Sequence, residues 1–568
     1  MIRKILSHLV ILTLCLASCS TPSKQEQVEQ RLTGTIGQKA MVSSVHELAS
    51  EVGKDVLANG GNAFDAAVAV QFALAVVYPE AGNIGGGGFA VIRTAEGKSD
   101  ALDFREKAPL AATETMYQDD NGEVITDLSR IGHLAAGVPG SVDGMVKLHE
   151  KYGSMDWAQL VQPAVDLAKS GYVVEERGAA NFMRMQEAFA RYNGQGFYLV
   201  KDWQPTDTVW HKDLESTMAL IRDNGRAGFY EGAVADLILA EMEEGNGLIT
   251  QADLDAYEAQ WRTPLIGHYK GHRIISMPPP SSGGVALLQL LNGSANYDFA
   301  KMGHNSAEQL HVMVELCRRV YADRASYLGD PDYYDVPVDM LLSDQYNSDR
   351  FNTISMDKKT SSSEIKEGEV EIIESIETTH FSIVDELGNA VSITTTVNGY
   401  FGNKVMVDGA GFFLNNEMDD FSAKPGVPNQ FGLIGNEANA IQPEKRMLSS
   451  MTPTIVDKDG QLLMVVGTPG GSTIITAVYQ TIINVIDHGM TMQEAVNAKK
   501  IHHQWLPDLV LVEKGAFGTV LTDQLKAYGH EIQERSMLGK MDCILVREDG
   551  TLEGASDYTR NGGIAVGY

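Results

Sequence analysis

Two threonines at the head of a core strand, approached by a long polar stretch, constrain this chain more than any other feature. The stretch is Glu377-Thr378-Thr379-His380-Phe381-Ser382-Ile383-Val384. Its approach, residues 358–377, begins with Lys, Ser, Thr and Glu and few apolar residues, and so reads as a mobile polar linker. Phe381 and Ile383 then alternate with polar residues, as in a half-buried strand. A turn at 385–389 returns the chain as a second strand, Ala390 to Val397. Thr-Thr by itself is an ordinary β-branched strand start. Its position allows a chemistry as well. A threonine hydroxyl is a weak nucleophile without a base beside it. A cut before Thr378 would make its own α-amine that base, titrating near pH ~7.7–8.

The chain has 568 residues, 43% of them apolar, enough for a large core. Its formal net charge is −30, and no Lys/Arg run stands out, which opposes a phosphate-backbone partner. Residues 1–18 read as a signal peptide: Arg3 and Lys4, then an apolar run from Ile5 to Leu16 too short to span a membrane. Leu16-Ala17-Ser18-Cys19 resembles a bacterial lipobox, with Cys19 as the lipidated first residue of a tether, 19–35. An exported envelope lipoprotein, at the periplasm or outer membrane face, is the expected localisation; a soluble periplasmic or secreted protein is the alternative. Cys317 and Cys543, the cysteines of the body, are too few for a disulfide framework and read as buried thiols.

Residues 62–77 are apolar nearly all round, the mark of a buried helix. The glycine-rich run 82–88 precedes a strand and lacks a following Lys-Ser/Thr, so close backbone packing explains it better than phosphate binding. Amphipathic helices fill roughly 157–257. Gly467 to Ser472 opens a further helix. His46-Glu47 lacks the second histidine of a zinc-protease helix, and there is no G-x-S-x-G elbow. His502 and His503, neighbours on a strand, point opposite ways and do not suggest a shared metal. With these signatures missing, Thr378 gains weight.

The chain resembles the γ-glutamyltranspeptidases, which are N-terminal-nucleophile hydrolases. The resemblance is carried by 60–63, Phe104-Arg105-Glu106, 278–284, Thr378-Thr379-His380, 415–421, 448–451, 469–472, 502–505 and 554–557. It implies an α+β protein, a four-layer αββα sandwich formed by two subunits from one precursor. The precursor would cut itself between Glu377 and Thr378, into a large subunit (36–377 after the tether) and a small catalytic one (378–568). Thr378 is then the nucleophile and Thr396 its hydrogen-bonding partner. Gly470 and Gly471 supply the oxyanion hole, where the absence of a side chain lets backbone N–H groups reach a developing oxyanion. Arg105, Ser449 and Ser450 match the grip on a substrate α-carboxylate; Asn398, Glu417 and Asp420 match the surround of its α-ammonium. One cation and hydroxyls opposite two carboxylates suit a zwitterionic amino-acid head. The implied partners are glutathione and other γ-glutamyl compounds, with water or an amino acid or peptide as acceptor, and no metal or organic cofactor.

Two departures stand out. The lid loop after Asp420 carries Phe431 where bacterial relatives often have tyrosine, so a latch to Asn398 is lost and a looser lid is expected. The segment 557–561 also differs from the commoner Asp-Pro-Arg form. The nearest alternative is a relative cleaving other amides, such as a glutaryl-type β-lactam acylase or a poly-γ-glutamate depolymerase. A non-catalytic envelope binding lipoprotein is a further one.

Overall fold

A computed structural model describes residues 31–365, 378–557 and 563–568. The signal peptide, Cys19, Glu377, most of the linker before Thr378 and Tyr558 to Asn561 lie outside the described residues.

Two seven-stranded, largely antiparallel sheets form the centre. In chain order their strands are β1 (Thr35–Gly37), β2 (Met41–Ser44), β3 (Gly87–Arg93), β4 (Ser99–Asp103), β5 (Gln260–Arg262), β6 (Leu265–Tyr269) and β7 (His272–Ser276). They continue as β8 (Thr379–Val384), β9 (Ala390–Thr396), β10 (Thr454–Lys458), β11 (Gln461–Val466), β12 (Asp542–Val546), β13 (Leu552–Ser556) and β14 (Ile564–Gly567). One sheet runs β14-β2-β8-β9-β3-β4-β5, the other β1-β13-β12-β11-β10-β7-β6. Helices α1 (Glu47–Ala58) and α2 (Ala63–Val77) cover the outer face of the first sheet. Helices α3 (Gly283–Ser294), α4 (Ala307–Tyr327) and α5 (Thr473–Ile486) lie over the second. The order is helix, sheet, sheet, helix: the αββα sandwich the sequence implied.

All fifteen residues of α2 are buried, as its uniformly apolar composition requires. An Asn62–Asp65 capping box starts it. The glycine run packs backbone on backbone: a Cβ on Gly86 would stand 2.0 Å from the Thr396 carbonyl oxygen.

The structure corrects two expectations. Strand β8 is not half-buried; all six of its residues are buried, because the second sheet covers its polar face. Its polar side chains are satisfied there: Ser382 Oγ donates to the Asp542 carbonyl at 2.8 Å, and His380 Nδ1 pairs with Thr394 Oγ1 at 2.9 Å. The start of the linker is fastened rather than loose. Ser362 Oγ donates to the Trp505 carbonyl at 2.6 Å, and Lys359 pairs with Asp508 at 3.1 Å. Ser362 Oγ also accepts from Arg318 at 2.5 Å, so a composition poor in apolar groups is held by charge-assisted bonds instead. The end of the tether is docked as well. Arg31 donates to the Gly489 carbonyl at 2.8 Å, and β1 adds itself to β13, covering a sheet edge.

Candidate active site

Thr378 immediately precedes β8, in the middle of the first sheet, between β2 and β9. It lines a cleft enclosing about 310 Å³ together with Arg105, Thr396, Asn398, Glu417, Asp420, Ser449, Ser450 and Gly471. Every catalytic and binding residue expected from the sequence stands on this wall except Gly470, the neighbour of Gly471; Glu377 and Cys19 lie outside the described residues. Thr379 does not share the wall; it is fully buried and its Oγ1 meets no hydrogen-bond partner among the described residues. The geometry therefore favours the first threonine of the pair.

Each group is carried by a different element. Thr396 ends β9, and its Oγ1 accepts from the Asn398 N–H at 2.7 Å. Asn398 has φ +71° and donates from Nδ2 to the Asn416 carbonyl at 3.0 Å. Gly470 and Gly471, with φ of +142° and +53°, form the turn into α5. The Gly470 carbonyl accepts from Thr473 N–H at 3.0 Å, locking the turn onto the helix N-terminus. That end carries the positive pole of the helix, where developing negative charge is favoured. A Cβ on Gly471 would stand 2.5 Å from the Phe431 ring. If Gly471 donates to the oxyanion as expected, Gly471→Ala lowers kcat about 10²-fold with little change in KM by displacing that donor; steady-state kinetics check it.

The charged wall is built of buried groups. Arg105 follows β4, and its backbone carbonyl accepts from Tyr257 Oη at 2.8 Å. Its guanidinium pairs with Glu417, with Asp420 at 2.6 Å and with Glu106 at 3.5 Å. The cation expected to hold a carboxylate and the two acids expected to hold an ammonium thus contact one another. A zwitterion entering between them would exchange each internal pair for one of its own. The acids outnumber the cation. Both Glu106 carboxylate oxygens and Glu417 Oε2 meet no hydrogen-bond partner among the described residues. Burial pushes Glu106 up to about 8 despite Arg105. Burial, then the Glu106 charge, pushes Glu417 well above the carboxylate range. Asp420 is pushed up to about 6, by burial against the pull of Arg105.

These directions give a pH dependence. A carboxyl titrating near 6 takes up its proton as pH falls through that value, so its grip on an ammonium fades on the acid side. KM for an ammonium-bearing substrate is expected to rise about tenfold between pH 7 and pH 5. The Asp420→Asn protein should show a flat profile; a pH series of KM checks both.

Sequence reasoning missed Arg324. It lies within α4, is 5% exposed, and donates to Ser282 Oγ at 2.9 Å and Ser450 Oγ at 3.1 Å. Burial lowers it to about 10. It is a second guanidinium in the cleft, on the serine side of the expected carboxylate grip. The available signal was Arg318, Arg319 and Arg324 within one otherwise buried helix, since arginine is rarely buried without a partner.

The lid loop carrying Phe431 is held by other bonds than the lost tyrosine latch. Gln504 Nε2 donates to the carbonyls of Phe431 and Gly432 at 3.2 and 3.1 Å. His502 Nε2 pairs with Gln504 Oε1 at 2.9 Å and its Nδ1 with Thr476 Oγ1 at 2.8 Å, so the amide is oriented from behind. Asn429 Nδ2 adds a bond to Asp420 at 3.0 Å. These bonds hold the loop without a hydroxyl at 431. Gln504→Ala is expected to raise the share of turnover that goes to water severalfold; product analysis with and without an acceptor amine measures it. His503 faces elsewhere, toward Asp508 at 3.5 Å, so the two histidines do not converge. Among the described residues no group of three or more His, Cys, Asp or Glu could hold a metal ion. Cys317 and Cys543 are buried free thiols.

The γ-glutamyltranspeptidase family profile matches residues 49–567. The glutathione hydrolase proenzyme of Escherichia coli K12 is 45% identical over 534 residues, 93% of this chain and 92% of its own. Among solved structures, the cephalosporin acylase of Bacillus halodurans superposes with a TM-score of 0.83 at 25% identity, covering 98% of this chain and 99% of that one. A chain of Helicobacter pylori γ-glutamyltranspeptidase matches at 49% identity with a TM-score of 0.56, covering 56% of this chain and 93% of its own length. With a full-length profile match and a full-length relative at this identity, the chain belongs to the γ-glutamyltranspeptidase family of N-terminal-nucleophile hydrolases.

Proposed function

We propose that this enzyme cuts itself before Thr378 and then transfers the γ-glutamyl group of glutathione and related compounds to water or to an amino acid or peptide. The observation that carries the reading is the set of Arg105, Arg324, Glu417 and Asp420 on the cleft that Thr378 lines, with Glu106 buried behind Arg105. A head bearing both an α-ammonium and an α-carboxylate satisfies both signs of charge. Clamped at the α-carbon, it offers its side-chain carbonyl to Thr378.

Thr378 Oγ attacks that carbonyl and the Thr378 α-amine takes the proton. The oxyanion rests on the N–H groups of Gly470 and Gly471. The leaving amine takes the proton back, and a γ-glutamyl ester remains on Thr378. Water or an acceptor amine then opens the ester, with the same α-amine as base. Thr396 positions the hydroxyl. Arg105, Ser449 and Ser450, joined by Arg324, hold the α-carboxylate; Asn398, Glu417 and Asp420 hold the α-ammonium. The processing step is supported by the name proenzyme on the E. coli relative and by the H. pylori chain, which is nearly spanned by little more than half of this one.

An acylase taking glutaryl groups is the competing reading, because the fold match to a cephalosporin acylase is close. A glutaryl group has no ammonium to meet Glu417 and Asp420, and its second carboxylate beside those acids disfavours it. The γ-glutamyl-anilide and glutaryl-anilide of one aniline separate the two: hydrolysis of the first and not the second supports this reading, and the reverse sinks it. Export and lipidation at Cys19 complete the proposal. They rest on the residues 1–19, and mass spectrometry of the large-subunit N-terminus tests them: a diacylglyceryl-modified Cys19 supports them, an unmodified or different start does not.

A further inference from the structure

Residues 359–362, at the start of the approach to Thr378, run as a strap between two parts of the chain. On one side lie arginines of α4. Arg318 donates to Ser362 Oγ at 2.5 Å, and Arg319 to Thr360 Oγ1 at 3.0 Å. On the other side lie segments that follow Thr378 in sequence. The Lys359 N–H donates to the Tyr528 carbonyl at 2.7 Å, and the Ser362 N–H to Asp508 at 3.1 Å. Asp508 pairs with Arg318 as well. Ser362 is 1% exposed, so its bonds are made away from water, where losing one leaves a buried group unsatisfied.

Ser362 grips a strained residue. Trp505 has φ +71°, which a residue bearing a bulky side chain keeps only when its surroundings hold it there. Ser362 holds it at two points. Its Oγ donates to the Trp505 carbonyl at 2.6 Å, and the Trp505 indole N–H donates back to the Ser362 carbonyl at 3.2 Å. A third bond runs from the Trp505 N–H to His503 Nδ1 at 3.1 Å. The residue before this strained one is Gln504, whose amide donates to the carbonyls of Phe431 and Gly432. Phe431 and Leu433 line the Thr378 cleft, and Asn429 of the same loop bonds to Asp420. A continuous set of contacts thus joins α4 to the lid: Arg318, Ser362, Trp505, Gln504, Phe431.

We propose that Ser362 is a positioning residue for the lid: by holding Trp505 in its strained conformation it aims Gln504 at the lid carbonyls and keeps that loop in place on the Thr378 cleft. The strap then has a use that outlasts the cut before Thr378. It stays behind as part of the large subunit and steadies a loop of the small one. The contacts stand on geometry alone; their consequence for turnover rests on the γ-glutamyl transfer proposed above. A displaced lid withdraws two residues from the cleft wall and the Asn429 bond from Asp420, so the donor substrate binds less well.

Hydrogen–deuterium exchange of the lid amides, residues 429–433, in the full-length enzyme tests the contacts. Ser362→Ala is expected to speed exchange there about three- to tenfold, as is Gln504→Ala. The double variant should exceed Gln504→Ala by less than about twofold, because residues that act through one contact do not add. Ser363→Ala is the control: that hydroxyl pairs with Ser361 Oγ at 2.7 Å, and its loss should leave lid exchange at the wild-type rate. In kinetics, KM for γ-glutamyl-p-nitroanilide is expected to rise about three- to tenfold in Ser362→Ala, with a smaller change in kcat. Unchanged lid exchange in Ser362→Ala, or effects of Ser362→Ala and Gln504→Ala that multiply in the double variant, overturns the proposal. Faster exchange with an unchanged KM overturns its link to turnover. Should Ser362→Ala yield no folded enzyme, Trp505→Phe, which removes the indole N–H and leaves Ser362 intact, decides by the same comparison with Gln504→Ala. A wild-type enzyme that releases no nitroaniline would instead sink the γ-glutamyl reading, and the exchange result would still decide the contacts.

Discussion

Thr378→Ala protein is expected to stay a single uncut chain and to lose turnover by at least about 10⁴-fold. The two losses have one cause if, as proposed, the same hydroxyl performs the scission and the acyl transfer. The fold should survive. Thr378 precedes β8 rather than pairing within it, and the strand is held by its ladders to β2 and β9. A denaturing gel reads the scission and γ-glutamyl-anilide hydrolysis reads the chemistry. Thr378→Ser should keep both, at reduced rate, since it retains a hydroxyl on the residue that becomes the N-terminus. Cleavage or full turnover in the alanine protein would end the account.

Asp420→Asn is expected to lower kcat/KM by about 10²–10³-fold, mostly through KM. Two effects add. On the proposed binding mode the substrate ammonium loses a carboxylate partner, and Arg105 loses the partner it holds at 2.6 Å. The side chain is also tied to the lid through Asn429, so the lid loop loosens with it. Substrate titrations of purified enzyme measure the change. A glutaryl substrate, which brings no ammonium, is expected to be favoured relative to the γ-glutamyl one in this variant. An unchanged ratio between the two would argue that Asp420 does not face the ammonium.

Much of this was legible in the chain. Thr378 at a strand head, the glycine pair before a helix and the acids of 417–420 could be picked out as residue types, and the resemblance supplied their roles. The αββα order was implied in the same way. Other features were not legible because they depend on what covers a surface. His380 and Ser382 alternate with apolar residues as solvent-facing positions do, yet a second sheet lies on them. The linker start is polar in composition and still fastened, because Arg318 and Asp508, distant in sequence, meet Ser362 and Lys359. Arg324, within α4, has its role set only by the serine loop that folds against it. Lys540 sits in the loop before β12 and is 3% exposed.

By itself the sequence determined the chemistry on offer: a hydroxyl that could share its residue with a free amine, glycines able to expose N–H groups, and charges of both signs. The tertiary structure alone decided which of these meet, since Arg105 and Asp420 are 315 positions apart and touch only when two layers close. The physical reason is that charge pairing and burial act through space. A local sequence window sets backbone preference and polarity, but the partner that satisfies a buried group arrives from another strand, and its arrival fixes both the group's ionisation and its role.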